Sequence, residues 1–361
     1  MGLWKHSTPV VLLLFFLLVA REIYPYADPL NAEAQDGYTI EKVASGFGGP
    51  TCLEWVSATE LLMCDRDGGR ILLLDATDDF SDTVLISGLD HPHDVHLTAE
   101  HMFVSEEGTL AKYTRINWTF DERTVLIDDV PSGNHQTNAI NAFPNGTLIW
   151  HSGSTCNVCD ESDERNAALL WVNPGNGEHG ILASGVRNSF DGVWVDGAGY
   201  MFSDNGRDWE GDHPDEELNL LVEGAAYGWP DDDPEHPVPE GTLAPVARWP
   251  PHTSMNGLAL RPDHSTLPGL NASEGEGFTV YATVYGSWNT ILPQGHEILR
   301  IDFTPTGDEN ASEPSEMWTS KTTRFATDLG TPLPIAFAPD GSLYYATFGS
   351  GGALYQISLE T

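Results

Sequence analysis

The chain repeats itself, and the repeat limits its fold more than any other feature. A unit made of a small apolar strand, a tight turn, a strand rich in Leu, Tyr and Phe, and a third strand with alternating apolar residues recurs along the 361 residues. The last copy is the clearest. It runs from Pro334 to Ala338, turns at Pro339-Asp340-Gly341-Ser342, and continues through 343–347 and 353–357. Proline presets φ and glycine accepts a positive φ, so Pro-Asp-Gly is a turn with a mechanism. Fainter copies cover 49–75, 92–116, 138–174, 190–221 and 256–302, which makes six. A single small sheet cannot bury both faces, whereas sheets stacked radially can. The sequence therefore predicts an all-β fold, a six-bladed β-propeller spanning 35–361. Outside the N-terminus no window of 11 or more residues shows helical periodicity. The spacing widens around 155–165, 207–216 and 228–250, which reads as loops inserted on one face of the scaffold, where binding residues gather.

Charge narrows the partners. Sixteen Lys+Arg face 54 Asp+Glu, for a formal net charge of -38 and a pI near 4.3. The only lysines are Lys5, Lys42, Lys112 and Lys321. Such a surface repels nucleic acid and anionic lipid. Its carboxylates are spread along the chain rather than collected in a tail. That distribution points to a protein kept soluble in concentrated salt, with an ordinary acidic secreted protein as the plainer reading.

The N-terminus carries Lys5 and His6, then a mostly apolar stretch from Pro9 to Ala20, closed by Arg21. It is short for a bilayer span and suits an export signal. Residues 1–34 are expected to be that signal, or a short membrane anchor retained on the mature chain. Ala32-Glu33-Ala34 before Gln35 resembles a cleavage site, and a secreted or cell-surface location follows. The four cysteines agree. If a turn centres on Ala58, pairing Trp55 with Leu61 and Leu53 with Met63 places Cys52 opposite Cys64, within reach of a disulfide. Cys156 and Cys159 stand alone as Cys-x-x-Cys. They lack the second ligand pair that zinc needs and the βαβ setting of a redox motif, so a local disulfide is expected. Sequons at Asn117, Asn145, Asn271 and Asn310 are compatible with glycosylation.

Three polar clusters fall at blade starts or in the inserted loops: 132–138 with His135, 185–192 with Arg187 and Asn188, and 203–209 with Asp204, Asn205, Gly206, Arg207 and Asp208. The third is followed by Asp215-Glu216-Glu217-Leu218-Asn219 and Tyr227-Gly228-Trp229-Pro230. Taken singly, a His in a Gly/Asn-rich turn is usually a solvated side chain and an Arg-Asn pair a surface feature. Together, at one end of successive blades, they supply a base, a cation and oxygen donors. That set suits removal of a proton and a hydride from an alcohol.

From 40 to 358 the sequence resembles the quinoprotein glucose/sorbosone dehydrogenases, six-bladed propellers that bind pyrroloquinoline quinone (PQQ) and calcium. The likeness rests on Gly-Val-Arg-Asn at 185–188, Asp-Asn-Gly-Arg-Asp-Trp at 204–209, Glu-Leu-Asn at 217–219 and Tyr-Gly-Trp-Pro at 227–230. Ser-Thr-Cys-Asn-Val-Cys at 154–159 and Tyr-Gly-Ser-Trp-Asn at 285–289 point to its sorbosone-type branch, and the acidity to a haloarchaeal member. The resemblance implies that His135 is the general base taking the sugar hydroxyl proton while hydride passes to the quinone. It places Arg187, Asn188, Asn205 and Trp288 at the cofactor. Calcium would be held by carbonyls of the Asn205–Gly206–Arg207 loop, with Asp204, Asp208 and Glu217 as further oxygen donors. The electron acceptor beyond the quinone is left open. The family commonly has basic residues where this chain has Thr290 and Thr331-Pro332. Two alternatives stay in view: a metal-dependent lactonase-like propeller, which would use Asp191, Asp204 and Asn138 around an axial ion, and a non-catalytic carbohydrate- or protein-binding propeller.

Overall fold

The computed structural model describes residues 13–14, 32–135, 138–208, 214–287, 294–349 and 351–360. Six antiparallel sheets of four or five strands surround an axis. Blade 1 contains Pro50–Trp55, Glu60–Asp65, Arg70–Asp75 and Ser81–Ser87. Blade 2 contains Asp94–Leu97, His101–Glu106, Thr109–Ile116 and Thr119–Ile127. Blade 3 contains Ile140–Ala142, Leu148–Ser152, Ala168–Val172 and His179–Ser184. Blade 4 contains Gly192–Val195, Gly199–Asp204, Glu216–Leu220 and Ala247–Trp249. Blade 5 contains Met255–Leu260, Phe278–Val284, Glu297–Pro305 and Trp318–Thr327. Blade 6 takes Pro332–Phe337, Leu343–Thr347 and Gly352–Leu359 from the C-terminus and Tyr38–Phe47 from the N-terminus. Tyr38–Phe47 pairs antiparallel with Gly352–Leu359, so the two ends of the chain close the ring.

Each blade junction holds its own apolar cluster. Between blades 1 and 2, Leu62, Ile71 and Cys64 meet Met102 and Val104; between 5 and 6, Tyr281 and Ile298 meet Tyr345 and Ile357. The other four junctions are filled in the same way. Side chains near the axis stitch neighbouring blades. Asp94 Oδ2 accepts from Ile140 N–H at 2.9 Å, Asn141 Nδ2 donates to the Gly192 carbonyl at 3.2 Å, and Asp191 Oδ2 accepts from Leu258 N–H at 2.8 Å. Cys52 lies opposite Cys64, as the register argument requires, and both disulfides, Cys52–Cys64 and Cys156–Cys159, are present.

Because consecutive strands are antiparallel, the loop entering each inner strand and the loop after each second strand open at the same end. The insertions at 155–165 and 207–216 are loops of the second kind. The third differs: 221–246 leaves the far end of blade 4 and returns along its flank, where Arg207 Nη2 donates to the Pro230 carbonyl at 2.6 Å.

Candidate active site

His135 sits in the loop entering blade 3. Its backbone N–H donates to the Ser154 carbonyl at 3.2 Å. Its Nδ1 lies 2.7 Å from Ser154 Oγ, whose own proton goes to the Cys156 carbonyl at 2.8 Å. With that proton spent, Ser154 Oγ accepts, so Nδ1 is the protonated nitrogen and Nε2 keeps its lone pair. Burial, and secondarily the charge of Arg187, lower the imidazole's pKa to about 3. Gly153 is required beneath it, since a Cβ there would overlap the His135 carbonyl oxygen.

Arg187 enters from the loop before blade 4 with a side chain 4% exposed. Its guanidinium donates to Asp208 Oδ2 at 2.9 Å, Asn157 Oδ1 at 2.8 Å, the Asn157 carbonyl at 3.2 Å and the Asn205 carbonyl at 3.1 Å. The Cys156–Cys159 disulfide therefore brackets a hub. Asn157 also accepts from Trp229 Nε1 at 3.0 Å and from Asp208 N–H at 2.8 Å.

Beneath Arg187, Asp204 accepts the backbone N–H groups of Arg187 and Asn188 at 3.1 and 2.7 Å. Burial pushes its carboxyl up to about 7. Glu216 accepts from Thr253 N–H at 3.1 Å and from Asn205 Nδ2 at 2.9 Å, and burial raises it to about 7 as well. Glu217 is raised to about 8 by burial and then by the neighbouring Asp204 charge.

One cavity of about 480 Å³ gathers Asn134, His135, Asn157, Arg187, Asn188, Asn205, Gly206, Asp208, Glu216, His252 and Ser254. That volume lies within the roughly 300–1,000 Å³ of small-molecule sites. Of the residues expected from the sequence, His135, Arg187, Asn188, Asn205, Gly206 and Asp208 meet here. Asp204 lies below, with both carboxylate oxygens accepting backbone N–H groups. The Arg207 guanidinium turns away to Pro230 and to Asp232, 2.9 Å off. Trp288 and Thr290 lie outside the described residues, and Thr331 is buried with its hydroxyl on the Phe348 carbonyl at 2.7 Å. Asp191 and Asn138 serve elsewhere. Asp191 clasps blades 4 and 5, and Asn138 Nδ2 donates to the His151 carbonyl at 2.8 Å. Among the described residues, the groupings of His, Cys and carboxylates close enough to share one ion include neither Asp191 nor Asp204.

Sequence reading missed His252 and Ser254, and placed Asn134, Asn157 and Glu216 in motifs without giving them a role. His252 had a signal: Pro-Pro-His-Thr-Ser precedes an inner strand just as the loops of His135 and Arg187 do.

No protein-family model matches the chain, and no curated protein matches it. Its fold is that of six-bladed propellers among the sugar dehydrogenases. The holo pyranose dehydrogenase PQQ domain of Coprinopsis cinerea superposes with a TM-score of 0.74 at 16% identity, over 92% of this chain and 98% of that one. The PQQ-bound aldose sugar dehydrogenase of Streptomyces coelicolor gives 0.66 at 18%, over 91% and 100%. A calcium structure of a Trichoderma reesei enzyme of Carbohydrate-Active Enzymes Family AA12 gives 0.72 at 17%, over 91% and 97%.

Proposed function

We propose that the protein is an extracytoplasmic oxidoreductase that oxidises an aldose or related sugar with PQQ and calcium. The observation that carries this reading is His135, a base with a defined tautomer whose free Nε2 belongs to a cavity shared with Arg187. The residues present suit such a cofactor. Five of the lining side chains are asparagines or serine, and they offer hydrogen-bonding groups to a flat polar ring system. Gly206 leaves open the space beside backbone carbonyls: a Cβ there would lie 2.7 Å from the Pro214 oxygen and 3.0 Å from the Asp215 oxygen. Hard oxygen donors of this kind suit calcium.

Bound quinone would supply the two-electron acceptor for hydride. The chain's own part is to place the substrate. His135 Nε2 takes the proton of the reacting hydroxyl as the C–H bond gives up its electron pair and the C–O bond becomes a carbonyl. Arg187, held by four hydrogen bonds to Asn157, Asn205 and Asp208, fixes the wall beside it, and burial, seconded by the Arg187 charge, holds His135 neutral. The structural likeness to PQQ-bound sugar dehydrogenases supports this assignment.

The test is reconstitution with calcium and PQQ in concentrated salt, followed by a dye-linked assay over a panel of sugars. Quinone absorbance retained on the protein, with turnover that His135→Ala loses, is the expected result. Absence of bound quinone, together with wild-type turnover no higher than that of His135→Ala, overturns it.

A further inference from the structure

We propose that Asn157 is the positioning residue that holds Arg187 in the cavity wall, and that the Cys156–Cys159 disulfide closes the loop around Asn157 to keep it there. The part Arg187 plays in turnover rests on the function proposed above. The grip of the loop on Arg187 does not. Fifteen residues, 153–167, separate Leu148–Ser152 from Ala168–Val172, and they contain neither helix nor strand. Loops of that length without regular structure are uncommon in compact domains and are usually functional. This one is tied at its base. Ser154 N–H donates to the Arg187 carbonyl at 2.8 Å, Thr155 N–H and Oγ1 donate to the Glu161 carboxylate at 2.6 and 2.7 Å, and Asn166 Nδ2 donates to the Pro131 carbonyl at 2.9 Å. Further along, Val158 is exposed, and the disulfide ties the residues flanking Asn157 and Val158 into a small ring.

Five hydrogen bonds converge on Asn157. Its carbonyl accepts from Arg187 Nε and Trp229 Nε1, its Oδ1 accepts from Arg187 Nη2 and Asp208 N–H, and its Nδ2 donates to the Asp208 carbonyl at 3.2 Å. Each oxygen thus spends both lone pairs, and a flipped amide would set its NH2 group against two donors. One residue therefore grips the guanidinium at two points and fixes the backbone of Asp208, whose carboxylate pairs with Arg187 at 2.9 Å. Asparagine suits this work because it is neutral: it supplies acceptors without cancelling the charge it positions. The ring limits the backbone freedom that such an arrangement would otherwise have to give up. The bridge is also within reach of a reagent. Cys156 and Cys159 are half-buried, whereas Cys52 and Cys64 are buried. A dithiol such as dithiothreitol breaks the S–S bond by passing two electrons and two protons to the sulfurs, leaving two thiols and closing into its own cyclic disulfide.

Proton–nitrogen NMR on the protein without cofactor reads both donors on the Asn157 carbonyl, Trp229 Nε1–H and Arg187 Nε–H, assigned by their loss in Trp229→Phe and Arg187→Gln. Reduction by dithiothreitol, and separately the Cys156→Ser/Cys159→Ser variant, is expected to shift both signals and to speed their exchange with water by about tenfold or more. Reoxidation of the wild type should restore them, and Asn157→Ala should match the reduced protein. Trp150 Nε1–H, which donates to Ser105 Oγ at 2.7 Å in the junction between blades 2 and 3, should stay in place and so report an intact fold. With calcium and PQQ added, kcat of both variants should fall by about 10–100-fold. The acid limb of kcat/KM should move upward, since Arg187 no longer bears on His135 from a fixed position. In the disulfide-free background Asn157→Ala should add little, because the bridge acts through Asn157. Unchanged Arg187 and Trp229 signals after reduction overturn the role of the disulfide, and unchanged signals in Asn157→Ala overturn that of Asn157. A wild-type protein without quinone-dependent turnover overturns the proposed function, while the cofactor-free spectra still decide this inference.

Discussion

The hydroxyl of Ser154 determines which nitrogen of His135 can act. Its proton is spent on the Cys156 carbonyl, so it can only accept from Nδ1, and the lone pair stays on Nε2. Ser154→Ala removes that bias and lets the ring turn or adopt the other tautomer. We expect kcat to fall by about 10–100-fold, the scale at which groups orienting a catalytic ligand act, with little change in KM. The pH profile is a second check. As the proposed base His135 would work unprotonated, and with its pKa lowered to about 3 that form is complete well below neutrality. The acid limb of kcat/KM assigned to this base should lie near pH 3 and leave the range above pH 5 flat on the acid side. An Arg187→Gln variant should move the limb upward, because it removes the second cause of the shift. A limb at an ordinary histidine value in the wild type would mean that the imidazole is solvated.

Strands were legible to the extent that they are buried. The repeat located the first three strands of every blade, since these carry apolar residues into the junction clusters. The fourth strands were missed. Ser81–Ser87 and Thr119–Ile127 are exposed along most of their length, so hydrophobic alternation has little to mark. Tyr38–Phe47 was missed for a further reason: its partner lies more than 300 residues away at the C-terminus. The site divided along similar lines. His135 and Arg187 stand in motifs that suggest their roles, whereas the roles of Asn157, though it lies in the 154–159 motif, and of Glu216 come from contacts that only the folded loops create. One element bears on chain processing. Glu33–Ala34 pairs with Thr327 and Ala326 on the outer edge of blade 5, Gln35 N–H donates to the Phe325 carbonyl at 2.8 Å, and Ala32 and Ala34 pack on the junction between blades 5 and 6. A cut between Ala34 and Gln35 would remove this strand and the apolar contacts of both alanines. A chain starting at Gln35 should melt about 1–2 °C below one starting at Ala32, as expected for roughly 1 kcal/mol in a chain of this length. Equal melting temperatures would show that the strand is dispensable and the sequence's cleavage site usable.

On the scale of the whole molecule, the net charge of -38 has to be reconciled with a compact ring. Two populations of carboxylate contribute, and they should respond differently. Surface carboxylates repel one another through solvent, and the screening length shrinks from ~10 Å at 0.1 M salt to ~3 Å at 1 M. Added salt should therefore raise the melting temperature across the pH range. The buried groups Asp204, Glu216 and Glu217 are another matter, raised to about 7, 7 and 8 by burial. A carboxyl raised in the folded state favours folding while it is protonated. That contribution is complete below its unfolded pKa near 4 and is lost as pH rises through its folded value. The metal-free protein should thus lose stability progressively from about pH 4 to about pH 8 and level off above that. Because buried charges are screened far less than exposed ones, the loss should persist in about 1 M salt. Melting curves on a grid of pH and NaCl separate the two terms. A pH dependence that vanishes in high salt would move the titrating groups to the surface, and melting indifferent to salt would mean that the acidic surface is not self-repulsive. Calcium added at pH 8 should restore stability to a greater extent than an equal ionic strength of NaCl, since a divalent cation held by carbonyls beside Gly206 would sit next to the buried carboxylates themselves.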